Sequence, residues 1–162
     1  KLKLDMDQWG LDHGSWGILE KMYPNANIPV VQLSIDAHQS AQWHYELGQK
    51  LVELRKEGVL VIGSGNIVHN LRMMDWQNSN ATPYPWALAF NEAIENSLRS
   101  DKVPEVLFTI LSTEEGRLAH PTPDHFLPAL YLLGLKQTGE KVTVLNNDIV
   151  NKSLSMMTFQ IG

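Results

Sequence analysis

The 162-residue chain contains no cysteine. Disulfides and thiolate metal sites are therefore excluded, and any metal would be held by His, Asp, Glu, Asn or backbone oxygen. No apolar run approaches the roughly 20 residues that a membrane-spanning helix needs. There is also no basic stripe that would favour nucleic acid and no acidic run typical of a disordered tail. We therefore expect a cytoplasmic protein that acts on small molecules, without nucleic-acid or membrane partners.

The composition is that of a globular protein, with 43% hydrophobic residues, 19% charged residues and a net charge of −5. A chain of this length predicts a single domain, residues 1–162, because domains usually contain roughly 100–200 residues. The chain begins at Lys1 without an initiator Met, and a site-like motif follows almost at once at Trp9 to Gly14. We therefore expect that sequence upstream of this motif is missing.

The hydrophobic pattern predicts an α/β fold. Residues 28–35 and 59–62 are apolar and β-branched, as in buried strands. Between them, Ser40 can cap a helix that ends near Glu57, before Gly58. Strand, helix and strand with short links predict a parallel βαβ unit.

Further helices are predicted at 85–100, 102–113 and 123–133, and two closing strands at 141–145 and 155–161. The expected architecture has three layers, with a mostly parallel or mixed central sheet covered by helices on both faces.

The stretch from Gly63 to Arg72 organises the rest of the chain. It follows a predicted core strand and presents Asn66, His69, Asn70 and Arg72 together. Ligands of open α/β sheets bind outside the carboxyl ends of the strands. A polar loop whose side chains only cap nearby backbone is the alternative.

A second dense group of polar residues lies at His120 to His125. Thr122 fits a helix N-cap, Pro123 the first helical position, and Asp124 the positive end of the helix. His125 then falls in the first turn, where the helix dipole favours the neutral imidazole that binds metal. A histidine that packs against the cap is the alternative.

Other aromatic and histidine residues have weaker signals. The irregular segment 73–85 carries Trp76 and Tyr84, which could line a pocket for a flat ligand or, more commonly, anchor the loop. His13 follows Asp12 at a turn, as a catalytic imidazole or, more commonly, as a helix-start residue. His38 and His44 are interpreted as solvated.

Four stretches resemble one known family. They are Gly10 to Trp16 (Gly-Leu-Asp-His-Gly-Ser-Trp), Ile28 to Ser34, Gly63 to Arg72 (Gly-Ser-Gly-Asn-Ile-Val-His-Asn-Leu-Arg) and Pro121 to Pro128 (Pro-Thr-Pro-Asp-His-Phe-Leu-Pro). In this order they resemble the C-terminal three fifths of the DODA-type extradiol aromatic ring-opening dioxygenases, the 4,5-DOPA dioxygenase family. Together they are a specific signal, although any one alone would be weak.

The resemblance implies an enzyme that inserts O₂ into a catechol such as DOPA at one non-haem metal. The metal is Fe(II) for activity and often Zn(II) in isolated protein. His125 matches a metal ligand, His69 a ligand or the acid/base, and His13 a histidine that contacts the catechol. Substrate contacts are expected from Asn66, Asn70, Trp76 and Tyr84.

The family's two other metal histidines lie upstream of the matching stretches, and residues 1–9 do not supply them. The resemblance therefore implies that the isolated chain binds metal poorly and is inactive. A metal-dependent hydrolase or a non-catalytic metal-binding protein of the same fold is the alternative function. The sequence does not determine the oligomeric state.

Overall fold

A computed structural model describes residues 4–6, 8–100 and 105–162 of the chain. It divides into two compact units, Lys1–Ser34 and Ile35–Gly162, which are treated separately below. The single-domain organisation stays a prediction.

The first unit is built around helix α1, His13–Met22. The Asp12 carboxylate caps it by accepting a hydrogen bond from the Ser15 amide, 2.8 Å away. Gln32 fixes the cap in turn, because its side chain bonds both the Asp12 amide, at 2.9 Å, and the Asp12 carboxylate, at 3.1 Å. The helix ends just before Pro24, and it contains no buried residue.

The second unit contains most of the helices. They are α2 Ala41–Lys50, α3 Val52–Lys56, α4 Pro85–Leu98, α5 Val106–Thr109, α6 Glu114–Ala119 and α7 Leu127–Leu135, with 3-10 turns at Leu71–Met73 and Ile110–Ser112. Ser40 caps α2 as predicted, through its hydroxyl and the Trp43 amide. The helix predicted over 102–113 is realised in its described part as α5 and a 3-10 turn, and residues 101–104 lie outside the described residues.

Two glycines let α2 and α7 cross in backbone contact. A Cβ on Gly48 would collide with the carbonyl oxygen of Tyr131, and one on Gly134 with the carbonyl oxygen of Tyr45. This crossing turns His44 into the interface, where it is fully buried and its Nδ1 lies 2.9 Å from the Tyr131 hydroxyl. The interpretation of His44 as solvated is therefore wrong, whereas His38 is exposed as expected.

The strands are short and antiparallel. Strand β1, Val142–Asn146, pairs with β4, Thr158–Ile161, which confirms the paired closing strands. Strand β2, Ile149–Val150, forms a hairpin with β3, Leu154–Ser155. His69 forms an isolated antiparallel bridge with Leu154 of β3.

The predicted strands 28–35 and 59–62 do not form in the described residues. Both segments are irregular and exposed; Val31 is 85% exposed and Leu60 is 63% exposed. A β-strand needs a neighbouring strand for its backbone groups, and no described segment pairs with either one. The fold is thus a mixture of helices and strands as predicted, but the two small sheets do not make the expected three-layer parallel sheet.

The core of the second unit lies between α4, α6, α7 and the segment that leads to His69. Its buried members are Ile67, Val68, Ala87, Phe90, Ile94, Leu98, Leu107, Ile110, Ala119, Phe126, Leu127, Leu130, Leu133 and Met157. Among the described residues, no helix is both long and apolar enough to cross a membrane. The cytoplasmic location stays a prediction.

Candidate functional site

Backbone hydrogen bonds fix the position of His69 from two sides. On one side, residues 68–70 run beside β3, where the Ser155 amide donates to Val68 at 2.9 Å and the Asn70 amide donates to Ser153 at 3.2 Å. On the other, the His69 amide donates to the carbonyl of Ala119 at 2.9 Å. The Cα position of His69 therefore depends on both the hairpin and the end of α6.

His125 is held against the same segment. The Asn66 amide donates to the carbonyl oxygen of His125 at 2.9 Å. Gly65 makes this approach possible, because a Cβ there would collide with that carbonyl oxygen. His125 lies in the turn just before α7, and Phe126 occupies the N-cap position. The expectation that His125 lies in the first helical turn, with Thr122 as N-cap, is therefore wrong, because the turn continues to Phe126.

The rings of His69 and His125 are stacked. Their centroids are 3.6 Å apart and their planes differ by 7°. Burial lowers the pKa of His69, and the neighbouring His125 lowers it further, because two charged imidazoles would repel each other at this distance. His69 is therefore neutral at neutral pH and able to accept a proton.

Asp124 supplies a negative charge beside the pair. Its Oδ2 lies 2.7 Å from Nδ1 of His125, but the angle does not meet hydrogen-bond geometry. A hydrogen bond with the Thr122 side chain lowers the pKa of Asp124, and the nearby His125 contributes in the same direction. The carboxylate is ionised at neutral pH and places a negative charge beside His125.

A cavity of about 40 Å³ opens next to His125. Its lining combines backbone and side chains from the Gly63 to Ile67 segment, α7 and the closing strand: Gly63, Gly65, Asn66, Ile67, His125, Pro128, Ala129, Leu132, Met157 and Phe159. Asn66 is oriented within it, because its Nδ2 donates to the Ser155 carbonyl at 2.8 Å. The space is about the size that one or two water molecules occupy.

The other predicted substrate contacts have different surroundings. Asn70 is buried, its Nδ2 donates to the Leu118 carbonyl at 2.7 Å, and its Oδ1 accepts from the Arg72 amide at 3.1 Å. Tyr84 stacks on Trp86 with centroids 5.6 Å apart and packs on the core, as the anchoring alternative predicts. Trp76 is 72% exposed, and neither Trp76 nor Tyr84 lines the cavity beside His125.

The loop that carries these aromatics is tied to the β2–β3 hairpin. Asn151 donates from its backbone amide to Ser79 at 2.9 Å and from Nδ2 to the Asp75 carbonyl at 2.7 Å. The Tyr84 amide donates to Lys152 at 3.1 Å. The expectation of a loop that borders the cavity is not supported by these contacts, which place it on the hairpin.

His13 is the first residue of α1 and is exposed. It belongs to the first compact unit, whereas the stacked pair belongs to the second. The predicted convergence of His13 with His69 and His125 stays a prediction.

Sequence reasoning missed a functional candidate in His120. This residue is only 6% exposed, and its Nε2 lies 2.8 Å from the carbonyl oxygen of Ile67. Burial lowers its pKa to about 4. The signal in the sequence was its position at the start of the dense polar stretch that ends with His125.

His125 fits part of a metal site. An imidazole nitrogen is a suitable donor for Fe(II) or Zn(II). A catalytic site of this kind usually has three protein ligands. In the part of the chain that the structure describes, no group of three or more His, Cys, Asp or Glu side chains could hold a metal ion. These residues alone do not complete the site.

The sequence matches the model of a known protein family. Residues 1–158 match the family model described as the catalytic LigB subunit of aromatic ring-opening dioxygenase. The chain belongs to this LigB family. The family predicted from the four motifs is thereby confirmed, and two of those motifs form the contact between His69 and His125.

Relatives within the LigB family are similar over most of the chain. A protein named 4,5-DOPA dioxygenase extradiol from Escherichia coli K12 is 49% identical over 161 residues, which is 98% of this chain and 59% of the relative. A protein of the same name from Beta vulgaris is 40% identical over 144 residues, 85% of this chain and 51% of the relative. The crystal structure of an uncharacterised Escherichia coli K12 protein has a TM-score of 0.90 at 49% identity, over 99% of this chain and 66% of that chain.

The chain thus spans between half and three fifths of the length of the curated relatives above. The covered fraction of each relative does not say which part of its sequence is covered. The expectation that this chain corresponds to the C-terminal three fifths of the family's sequence is therefore not confirmed.

Proposed function

We propose that this chain forms part of the catalytic centre of an extradiol dioxygenase that cleaves the ring of a catechol such as DOPA with O₂. The observation that carries the proposal is the stacked pair of His69 and His125, because each histidine comes from a motif of the family and the fold brings both to one place. The names of the similar proteins support the same chemistry.

His125 is the proposed metal ligand. Its Nδ1 faces the Asp124 carboxylate at 2.7 Å, which leaves Nε2 as the nitrogen available for a metal. Asp124 therefore places a negative charge beside the non-ligating nitrogen of His125.

His69 is the proposed acid/base, and ring geometry separates this role from that of a ligand. A metal lies close to the plane of an imidazole that binds it, because the nitrogen lone pair lies in that plane. With rings 3.6 Å apart and planes only 7° apart, one ion cannot lie in both planes. As long as the stack persists, His69 cannot share the metal of His125.

The acid/base step uses the neutral state of His69. A catechol hydroxyl loses its proton to a ring nitrogen of His69, the O–H bond breaks, and the electron pair remains on the catechol oxygen. The lowered pKa of His69 keeps this nitrogen unprotonated before the step. Asn66, which lines the small cavity beside His125, is the proposed substrate-orienting residue.

When bound, Fe(II) would supply the Lewis acidity and the open positions that catecholate and O₂ require. Zn(II) would fit the same His125 nitrogen without supporting redox chemistry. The remaining ligands would come from outside the described residues. We therefore propose that the 162-residue chain alone is inactive and that His13 contributes to the substrate site of the complete protein.

The test is oxygen uptake by the complete protein after anaerobic reconstitution with Fe(II). Uptake that depends on an added catechol, with formation of a ring-opened product, is the expected result. His38→Ala is the matched control, because His38 is exposed and should leave the rate unchanged. Absence of uptake with every catechol tested would overturn the proposal. Metal-dependent hydrolysis without O₂ consumption would favour the hydrolase alternative.

A further inference from the structure

We propose that His120 is a positioning residue that sets the stacked geometry of His69 and His125. The inference deepens the proposed function, since it concerns the same histidine pair and takes its catalytic importance from that function. It rests on the contacts of a buried imidazole that the acid/base step does not use.

The hydrogen bond of His120 defines its tautomer. Its Nε2 lies 2.8 Å from the carbonyl oxygen of Ile67, and a carbonyl can only accept. Nε2 must therefore carry the proton. Nδ1 is then an unprotonated acceptor, and it is buried without a hydrogen-bond partner among the described residues. Burial also lowers the pKa to about 4, so the ring is neutral near pH 7.

This bond supports the backbone on the approach to His69. Ile67 lies two residues before His69, and Ala119, next to His120, accepts the hydrogen bond of the His69 amide at 2.9 Å. The consecutive residues Ala119 and His120 therefore bind the segment at two points on either side of Val68. Both Ile67 and Val68 are buried, so water cannot easily replace a lost bond.

The same imidazole contacts the residue that follows His125 in the chain. Its ring packs on Phe126 with centroids 5.2 Å apart, and Phe126 directly follows His125. The Phe90 ring also packs against the His120 ring, with centroids 5.7 Å apart. One side chain thus contacts Ile67, two residues before His69, and Phe126, directly after His125.

The experiment begins with the wild-type chain labelled with ¹⁵N-histidine. Long-range proton–nitrogen NMR spectra at pH 7 identify the tautomer of each ring and the ring protons of His69 and His125, which face-to-face stacking displaces upfield. We expect the Nε2–H tautomer for His120. An Nδ1–H tautomer excludes the bond to Ile67 and overturns the proposal.

Two variants then separate positioning from space filling. His120→Leu removes the donor at similar volume, and we expect the upfield displacement of His69 and His125 to be lost. His120→Gln can place an amide Nε2 near the position of the imidazole Nε2, and we expect it to retain the displacement. His44→Leu is the matched control, because it also removes a buried histidine but one whose ring bonds Tyr131 and not Ile67. It should lower stability while the stack persists.

Each outcome decides the question. Wild-type displacement in His120→Leu, or equal loss in His44→Leu, overturns the proposal. If His120→Leu does not fold, His120→Gln carries the test: retained displacement supports the proposal, whereas lost displacement or failure to fold overturns it. The measurement needs no metal and no turnover. A chain that passes it while the complete protein consumes no oxygen would refute the dioxygenase function and leave the positioning role intact.

Discussion

The imidazole of His69 lies face to face with the imidazole of His125, at a centroid distance of 3.6 Å and an interplanar angle of 7°. Parallel rings at this distance direct their nitrogen lone pairs into separate planes. In the proposed function, metal binding by His125 and proton transfer by His69 are therefore divided between two neighbouring histidines. The division gives alanine variants of the two residues different expected phenotypes.

In the complete protein, His125→Ala should remove a metal ligand, so bound metal and catechol-dependent oxygen uptake should fall together. His69→Ala should retain most of the metal while turnover falls about 100- to 10,000-fold, the usual effect of losing an acid/base group. Metal analysis beside oxygen uptake measures both quantities. Equal loss of metal in the two variants would show that the rings separate and that both bind the ion.

Gly65→Ala should destabilise the chain by about 1–3 kcal/mol, because the added Cβ collides with the backbone carbonyl of His125, which cannot move as a flexible side chain would. Urea unfolding measures the change in free energy. Gly17→Ala is the control, since a Cβ there meets nothing within 4 Å and α1 should gain helix propensity. Equal stability of Gly65→Ala and wild type would mean that the two segments are further apart than described.

Acid should destabilise the chain through His120. Its folded-state pKa of about 4 lies below the 6.5 of the unfolded chain, so the unfolded state binds more protons between these values. The contribution of His120 to the free energy of unfolding is complete above pH 6.5. It falls by roughly 3 kcal/mol as the pH falls towards 4. Burial also lowers the pKa of His44, which adds in the same direction.

Urea unfolding at pH 7 and pH 4.5 checks this dependence. In His120→Gln the difference between the two pH values should shrink, because the substituted amide does not titrate. A difference as large as that of wild type would assign the acid sensitivity to other groups.

Tyr131→Phe should cost about 1–3 kcal/mol, because it removes the hydroxyl 2.9 Å from Nδ1 of the fully buried His44 and leaves that nitrogen without a partner. Thermal or urea unfolding measures the loss. Tyr45→Phe is a matched control on the facing helix, since the Tyr45 hydroxyl has only a 3.4 Å contact with the side chain of Gln49. Similar losses in both variants would contradict a specific role for the buried pair.

Local sequence signals predicted the parts of the fold that local interactions determine. The Ser40 cap, the start of α4 at Pro85 and the pairing of the last strand with Val142–Asn146 are of this kind. The segment 59–62 shows the limit of such signals. Its apolar β-branched residues favour a strand, but a sequence pattern does not say which neighbour accepts its backbone hydrogen bonds. In the described residues none does.

The orientation of α2 shows the same limit at a single helix. Hydrophobic periodicity favours Trp43 over His44 for the buried face of this helix, but Trp43 is 37% exposed and His44 is fully buried. Close contact of Gly48 with α7 rotates the helix, and hydrophobic periodicity alone does not report such a contact. At the site, the motifs predicted that His69 and His125 meet, whereas the tautomer and role of His120 required three-dimensional coordinates.

The hairpin beside His69 also determines when the site can form during synthesis. Asn70 receives its bond from the Ser153 hydroxyl across a sequence separation of 83 residues. At translation rates of about 5–20 residues per second, a nascent chain displays His69 for on the order of ten seconds before that support exists. The histidine pair is therefore assembled late, and a ribosome that stalls within this interval leaves a chain in which the segment of His69 lacks its bond from the hairpin.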